Sequence, residues 1–331
     1  MTSTITLITA PGYNMAATMA FIDGFRACNY LAGELLFRWS LSHIGDEPPA
    51  ASNGLALQSS LLSPAATAPD IGVVSTSWAP EAAYAPLTPI LRRWARFGAA
   101  LVGLDTGAFV LAKAGLMAGR RATVHYEHID AFAEMFPKVQ TTEDLYTIDG
   151  PIMTAAGGAA ATDLALQIVR ERAGEALANA AARYVFHERL RPEATRQLPG
   201  GAEPTGQTVP DAVRAAIQYM EDHLEDVAPM PAIAVAAGVG QRRLERLFQR
   251  FVGRTPARYY SDIRLDRARG LATQTDLPLR EIALACGFAS PEHFSRVYRR
   301  RFGATPSADR QAGRVPFEFR AWPMHERGGV R

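Results

Sequence analysis

Short apolar runs and helical stretches alternate along the first 190 or so residues of the chain. Runs such as Thr4–Thr9, Ile71–Ser75 and Ala99–Leu104 have the length and the side-chain types of buried strands. Between them, segments such as Met15–Leu31 and Ala108–Ala114 have the composition of helices. Because strands that alternate with helices build βαβ units, the pattern predicts an α/β three-layer sandwich with a mostly parallel sheet.

The strand pattern stops at a segment with the composition of a linker. Residues Arg191–Pro210, "RPEATRQLPGGAEPTGQTVP", contain four prolines and three glycines and few large apolar side chains. Only helical patterns follow it. We therefore predict a first domain over residues 1–196, a linker over 197–210, an all-α domain over 211–310 and a C-terminal tail over 311–331.

The all-α part contains an internal repeat. "IAVAAGVGQRRLERLFQRFVGRTP" (233–256) aligns with "IALACGFASPEHFSRVYRRRFGATP" (282–306) if one residue is inserted. Each copy has a short helix, a glycine (Gly238 or Gly287) where the turn needs a positive φ, and a second amphipathic helix. The repeat predicts two helix-turn-helix units.

Charge is distributed unequally between the two parts. Up to Leu198 there are 15 Lys and Arg against 18 Asp and Glu, and from Pro199 onward there are 20 against 15. In the second helix of each repeat, one face is apolar and the opposite face carries arginines. Arginine suits bidentate contacts to phosphates and guanine edges. A solvated arginine face is the simpler explanation, but its occurrence in both copies favours binding to DNA.

Residues Asp211–Arg310 resemble the DNA-binding domain of AraC-type transcription regulators, in which a long helix, here Pro256–Gln274, joins two helix-turn-helix units. The resemblance implies that the second helix of each unit enters a major groove of promoter DNA. Carried over by position, the residues that face the bases are Gln241, Arg242, Arg246, Ser290, Glu292, His293 and Arg296. The other arginines of these helices, expected to contact DNA phosphates, are Arg243, Arg250, Arg299 and Arg300.

A five-residue turn in the first part has the pattern of a nucleophile elbow. Residues 103–107, Gly-Leu-Asp-Thr-Gly, lie between a predicted strand and a predicted helix. In hydrolases such a turn raises a Ser or Cys at the carboxyl end of the strand, and small residues flank it because the bend leaves little room. Here the raised residue is Asp105.

The first part resembles the PfpI-type branch of the class I glutamine-amidotransferase-like superfamily, and more narrowly the sensor domain of GlxA-type AraC regulators. The segments that carry this resemblance are residues 11–33, 103–116, 114–128 and 154–169. Enzymes of the superfamily have a catalytic Cys at the elbow, together with a His and an acid. By position Asp105 replaces the Cys, and His125 and Asp23 approximate the other two residues.

Three roles for Asp105 follow from this replacement. Without a thiolate, the thiol chemistry of these folds is not available, which favours a catalytically inactive domain that senses a small molecule. An Asp nucleophile can attack alkyl halides or epoxides, so a hydrolase fused to a DNA-binding domain is the alternative. Asp105 could also only cap the helix that starts near Thr106.

We expect a cationic or zwitterionic nitrogenous metabolite as the effector, because an aspartate and nearby aromatic rings suit such a group. The ligand-binding candidates are Asp105, Thr106, His125, Asp23, Trp78 and Tyr13. Trp78 and Tyr13 are candidates because each follows a predicted strand. The overall prediction is a DNA-binding transcriptional regulator, an activator, and not an enzyme.

Other features restrict the cofactors and partners. The two cysteines, Cys28 and Cys286, lack the spacing of metal ligands, and we predict neither a metal nor a cofactor. The N-terminus does not have the pattern of a signal peptide, and no long uncharged apolar run occurs, so we expect a cytoplasmic protein without a membrane partner. The expected partners are promoter DNA, the effector, RNA polymerase and a second copy bound through the first domain.

Overall fold

The computed structural model describes residues 2–197 and 210–312, which divide into two compact units, each described here by itself. The strands of the first unit are β1 (Ser3–Thr9), β2 (Phe37–His43), β3 (Ser60–Leu61), β4 (Ile71–Thr76), β5 (Ala100–Asp105), β6 (Arg121–Ala122), β7 (Gln140–Thr141), β8 (Tyr146–Asp149) and β9 (Ile152–Ala155). Its helices are α1 (Met15–Ala32), α2 (Tyr84–Arg96), α3 (Gly107–Lys113), α4 (Ile129–Met135), α5 (Ala160–Ala173) and α6 (Glu175–Tyr184).

Seven of these strands form one sheet in the order β3-β2-β1-β4-β5-β9-β8. All neighbours in this sheet are parallel except β8 and β9, and β6 and β7 form a separate parallel pair. The strand order reverses between β1 and β4, and open α/β sheets bind ligands beyond the carboxyl ends of strands at such a point. The mostly parallel sheet is confirmed.

Helices cover both faces of the sheet, as a three-layer sandwich requires. On one face, Phe21 and Phe25 of α1 and Leu164 of α5 pack in a core with the inward side chains of β1 and β4. On the other face, Leu91 and Trp94 of α2 pack in a second core with α3 and α4. The central strand β4 is buried along its whole length, which explains its continuous apolar pattern.

The second unit consists of the helices α7 (Asp211–Glu221), α8 (Met230–Ala236), α9 (Gln241–Phe251), α10 (Pro256–Gln274), α11 (Leu279–Ala285), α12 (Pro291–Phe302) and α13 (Pro306–Gln311). The helices α7, α8 and α9 enclose one small core, and α11 and α12 enclose another. The long helix α10 contributes Tyr260 to the first core and Leu265 to the second. The predicted pair of helix-turn-helix units around one shared helix is confirmed.

The predicted linker and tail fall almost wholly outside the described residues. Of the linker, 197–210, only Gln197 and Pro210 are described, and of the tail, 311–331, only Gln311 and Ala312. Arg191, which belongs by composition to the linker-like segment, is held in the first unit by two hydrogen bonds from its guanidinium to the buried carboxylate of Asp163. Across the described ranges, every helix is too short or too polar to span a lipid bilayer.

The two turn glycines, Gly238 and Gly287, form a matched pair for testing how the second unit packs. Both have a positive φ, +65° and +69°. A Cβ atom at Gly238 would meet nothing within 4 Å, whereas one at Gly287 would lie 2.3 Å from Cγ2 of Val227. The turn of the second helix-turn-helix unit therefore packs against the segment that precedes α8.

We predict that Gly238→Ala costs about 1–2 kcal/mol of unfolding free energy, because an L side chain is strained at positive φ. Gly287→Ala should cost about 1–3 kcal/mol more, because the added methyl group also forces Val227 to move. Urea unfolding of the two variants, followed by far-ultraviolet circular dichroism, measures the difference. Equal losses of unfolding free energy in the two variants would contradict the close approach of Gly287 to Val227.

Candidate ligand site and nucleic-acid interface

The predicted elbow is present at the junction of β5 and α3. Asp105 ends the strand with φ = +60°, one of two non-glycine residues with positive φ in the described ranges. A Cβ atom at Gly103 would lie 2.6 Å from the backbone nitrogen of Ala108, and one at Gly107 would lie 2.3 Å from the backbone oxygen of Val74. Both flanking positions therefore require glycine, for the steric reason that holds in hydrolase elbows.

The side chain of Asp105 points into the protein and is almost completely shielded from water. The residue is 3% exposed. Its Oδ2 accepts a hydrogen bond of 2.6 Å from Nδ2 of Asn14, which follows β1. Through its own Oδ1, Asn14 also accepts a hydrogen bond from the backbone N–H of Ala17 and caps α1. Oδ1 of Asp105 is buried and has no hydrogen-bond partner among the described residues.

Burial raises the pKa of Asp105 to about 7. The hydrogen bond from Asn14 opposes this rise, and the negative charge of Glu127 adds to it. None of the leading electrostatic influences on this carboxyl group comes from a cationic side chain of the described residues. The carboxyl group is therefore divided between its neutral and charged forms near pH 7, and a nearby cation would favour the charged form.

Thr106 stabilises the backbone of the elbow through its side-chain hydroxyl. Its side chain is fully buried and donates a hydrogen bond to the backbone oxygen of Ser77, and its hydroxyl lies 2.8 Å from that of Thr76. Thr106 is also the N-cap residue of α3, a position that Asp105 does not occupy, and no side-chain capping bond is formed there. The hydroxyl of Thr106 thus holds the end of β4 against the start of α3.

His125 lies on a turn that brings three potential ligand groups together. Its ring lies against that of Tyr126 with the centroids 4.5 Å apart and the planes inclined at 34°. Nδ1 of His125 lies 3.8 Å from Oε2 of Glu127. Desolvation by burial lowers the pKa of His125, which favours the neutral imidazole at pH 7. Atoms of His125, Glu127 and His128 that can bind a metal all lie within 4.8 Å of one another.

The structure does not bring Asp23 to the elbow. Asp23 lies on α1 nine residues beyond Asn14, which corresponds to about 13 Å along a helix. Its carboxylate is about half exposed and pairs with Arg26 one turn further on. The spacing of the sequence motif could not show this, because the N-terminal end of α1, and not its middle, faces Asp105.

Tyr13 and Trp78 occupy different environments, although each follows a central strand. Tyr13 is fully buried, and its hydroxyl lies 3.9 Å from Sδ of Met15, so the ring is part of the core. Trp78 is partly exposed and directly follows Ser77, whose side chain acts to lower the pKa of Asp105. Of the two predicted aromatic contacts, Trp78 is the one with an exposed surface beside the elbow.

Sequence reasoning missed Asn14, Ser77 and Glu127 as neighbours of Asp105. Asn14 and Ser77 follow β1 and β4, the two strands at which the order of the sheet reverses. The carboxyl ends of these strands therefore gave a usable signal. Glu127 lies in a 3₁₀ turn, which no periodic pattern reveals.

The predicted DNA-contacting face of α9 is exposed, and its apolar face is packed. Leu244 and Phe248 are buried in the core of the first helix-turn-helix unit. The side chains on the opposite face are exposed: Gln241, Arg242, Arg243, Arg246 and Arg250. Arg250 lies over the ring of Phe251 at 5.2 Å, which directs its guanidinium toward the C-terminal end of α9.

Helix α12 also has a packed apolar face and an exposed polar face, and side-chain hydrogen bonds hold its first turn. Ser290 caps the helix by accepting a hydrogen bond from the backbone N–H of His293, and its hydroxyl also donates to Glu292 at 2.6 Å. Nη2 of Arg296 lies 3.0 Å from Nδ1 of His293. Ser290 is intermediate in exposure, and the other predicted contacts are exposed: Glu292, His293, Arg296, Arg299 and Arg300.

The arginines of the second unit fall into two groups. Several of those on and around α10 are neutralised by carboxylates, in the pairs Arg254–Asp262, Arg258–Asp262, Arg269–Asp309 and Arg301–Asp266. Five on the outward faces of α9 and α12 have no carboxylate within 4.0 Å in residues 2–197 and 210–312: Arg242, Arg243, Arg246, Arg299 and Arg300. A cluster of positive charge without carboxylate partners in the described ranges therefore lies on the faces that the repeat predicts to bind DNA.

Asp105→Asn should stabilise the first unit, and more so at higher pH. Asn tolerates a positive φ, and its side-chain oxygen can still accept the hydrogen bond that Asn14 donates. The folded pKa of Asp105 lies above its unfolded value near 3.9. The unfolded chain therefore loses this proton first, and wild-type stability falls as the pH rises toward 7.

We predict that the advantage of Asp105→Asn over wild type grows by about 2–3 kcal/mol between pH 5 and pH 8. Thermal unfolding at the two pH values measures it. Asp23→Asn is the matched control and removes an exposed carboxylate, so its effect should stay below about 1 kcal/mol at both values. A pH-independent difference for Asp105→Asn would contradict the uncompensated burial of this carboxyl group.

Comparisons with known proteins agree with both units. A family model described as a helix-turn-helix domain matches residues 233–312. Over 301 residues, the chain is 38% identical to the HTH-type transcriptional regulator CdhR of Pseudomonas aeruginosa, which covers 91% of this chain and 89% of that protein. It is 35% identical over 294 residues to the regulator GlxA of Rhizobium meliloti, covering 87% of this chain and 90% of GlxA.

Two solved structures match the fold. An AraC family transcriptional regulator from Pseudomonas putida matches 55% of this chain and 99% of its own, with a TM-score of 0.51 and 26% identity. A ThiJ/PfpI family protein from Pseudomonas syringae matches 72% of this chain and 91% of its own, with a TM-score of 0.52 and 19% identity, a likeness of fold alone. The first domain has the fold of the ThiJ/PfpI protein. The chain belongs to the AraC family of helix-turn-helix transcriptional regulators, in its GlxA-type branch.

Proposed function

We propose that this regulator binds promoter DNA through α9 and α12 and responds to a small cationic or zwitterionic nitrogenous metabolite that the first unit binds at the elbow. The observation that carries the effector proposal is the Asp105 carboxyl group, which is buried, accepts a hydrogen bond from Asn14 at Oδ2 and has no hydrogen-bond partner at Oδ1 within residues 2–197 and 210–312. An uncompensated buried carboxylate gains more from a cation than an exposed one, because the effective dielectric is lower.

The groups around Asp105 are suited to this effector. Glu127 adds a second negative charge that acts on Asp105. Trp78 offers a partly exposed aromatic ring beside the elbow, which suits an alkylated ammonium or a guanidinium. We include His125 as a polar contact of the effector, whereas Thr106, Tyr13 and Asp23 have structural partners of their own.

We propose that the first unit is a receptor and not an enzyme. The two cysteines, Cys28 and Cys286, are fully buried, and neither lies at the elbow, so a thiol does not occupy the catalytic position. A carboxyl group with a pKa of about 7 is partly protonated near neutral pH and is then a poor nucleophile. The alternative, an Asp-nucleophile hydrolase, requires turnover of the bound molecule, which the effector experiment below also measures.

The remaining partners rest on the family resemblance. We propose activation of transcription through RNA polymerase and a homodimer formed by the first unit. DNA binding itself has independent physical support in the outward arginines of α9 and α12, since counterion release makes such contacts favourable and dependent on salt.

For the DNA contacts, we predict that Arg246→Ala and Arg296→Ala each weaken binding to the promoter by about 1–3 kcal/mol and relax the preference at one base pair. Arg250→Ala should weaken all sequences alike, because a phosphate contact does not distinguish bases. Arg214→Ala is the control, since Arg214 pairs with Asp211 on α7. Titrations over a series of salt concentrations measure both effects, and affinity that is independent of salt would refute this interface.

For the effector, we predict that Asp105→Asn greatly weakens the response and leaves DNA affinity unchanged. A thermal-shift screen of the full chain against cationic and zwitterionic amines identifies the ligand, because saturation at 100 times Kd stabilises by about 2.7 kcal/mol. Calorimetric titration then compares wild type, Asp105→Asn and the control Asp23→Asn. Equal affinity in wild type and Asp105→Asn would remove Asp105 from the binding site, and product formation in the same samples would establish the hydrolase.

A further inference from the structure

We propose that His125, Glu127 and His128 form a binding site for one divalent transition-metal ion of the zinc class. Glu127 and His128 lie in the 3₁₀ turn that follows β6, and His125 directly precedes this turn, in the sequence His-Tyr-Glu-His. The cysteine spacing predicted no metal site, and this cluster contains no cysteine. The proposal does not depend on the identity of the effector or on the DNA sequence.

The geometry of the turn brings the three donor groups close to the separation that one ion requires. Donor atoms of all three residues lie within 4.8 Å of one another, and Nδ1 of His125 lies 3.8 Å from Oε2 of Glu127. The ring centroids of His125 and His128 are 6.1 Å apart and inclined at 61°. Two imidazoles on one tetrahedral zinc have centroids about 5 Å apart, from Zn–N bonds near 2.0–2.1 Å. Donor atoms on one tetrahedral zinc lie about 3.3 Å apart, so side-chain rotations that bring these atoms closer by up to about 1.5 Å would close the site.

The types of the donors indicate the class of metal. Two imidazole nitrogens and one carboxylate oxygen suit Zn²⁺, Co²⁺ and Ni²⁺. Ca²⁺ and Mg²⁺ prefer sets made only of oxygen ligands. Three protein ligands leave one tetrahedral position for water or for another small ligand.

Packing holds both rings near the required positions, which lowers the entropy lost on binding. His128 is 6% exposed, and its ring meets that of Phe109 in a T-shaped contact with the centroids 6.2 Å apart. The ring of His125 lies against that of Tyr126 in a tilted contact. The side chains of His125 and Glu127 are each about one-third exposed, 31% and 33%, so an ion has a path from solvent.

The electrostatic environment also favours a cation. The carboxylate of Glu127 acts electrostatically on Asp105, so two acidic groups share this region. Oδ1 of Asp105 is buried without a hydrogen-bond partner among the described residues. A divalent ion on the His-Glu-His turn would offset the repulsion between the two carboxylates.

The test uses the full-length chain after treatment with a chelator, with Co²⁺ as a spectroscopic probe and Zn²⁺ for calorimetry. We expect one ion per chain and the visible d–d absorption of tetrahedral Co²⁺. Glu127→Gln should weaken Zn²⁺ binding at least tenfold. The matched control is Glu134→Gln, which removes an exposed carboxylate from α4 and should bind as wild type does.

A second variant keeps the test decisive if Glu127→Gln fails to fold, as circular dichroism without metal will show. His125→Asn removes one imidazole from a partly exposed position and should also weaken Zn²⁺ binding at least tenfold. The absence of metal uptake by wild type would overturn the proposal, as would unchanged affinity in a folded Glu127→Gln or His125→Asn. Because no effector or DNA is present, this result is separate from the fate of the proposed function.

Discussion

The first unit is organised around a carboxyl group that its own backbone holds away from water. The bend at Asp105 is possible because Gly103 and Gly107 let β5, α3 and β4 approach closely. The same bend points the side chain inward, beneath the residues that follow β1 and β4. Keeping this group ionised above pH 7 costs about 4 kcal/mol relative to an exposed aspartate, given its pKa of about 7. Such a cost is large beside the net stability of a domain, and a bound cation would recover part of it.

The second unit differs from the Asp105 site, because its buried carboxylates are paired with arginines. Its scaffold arginines are paired with carboxylates around α10, and Asp262 and Asp309 are buried among them. Five arginines on the outward faces of α9 and α12 have no carboxylate within 4.0 Å in the part of the chain that the structure describes. Charge is thus neutralised where it would disturb packing and retained where a polyanion can bind.

The sequence was sufficient for the architecture because its long elements have strong periodic patterns. The helices α1 and α10 and the strands β1, β4 and β5 lie within a residue or two of the predicted positions. The strands β3, β6 and β7 have two residues each, too few for any alternation to be visible. The helix α2 contains Pro89 in its interior, although proline favours the first turn of a helix, so its N-terminal boundary at Tyr84 has no clear signal in the sequence.

The candidate site was harder to predict because it is assembled from separate loops. The elbow itself could be predicted, since its two glycines lie two residues before and two residues after Asp105 in the sequence. Asn14 and Ser77 reach Asp105 only through the order of the strands, and Asp23 misses it because one helix carries it away. In the DNA-binding unit the repeat placed both arginine faces correctly on exposed surfaces, since their positions depend on local helical periodicity alone.

The protonation state of Asp105 is the point on which this account depends most directly. Selective ¹³C labelling of the aspartate carboxyl carbons, with Asp105→Asn to assign the resonance, allows the titration of this group to be followed by NMR in the full chain. We expect a midpoint near pH 7, because the carboxyl group is buried without a cationic partner in the part of the chain that the structure describes. A midpoint near pH 4 would contradict it, because the carboxylate would then already be solvated or paired.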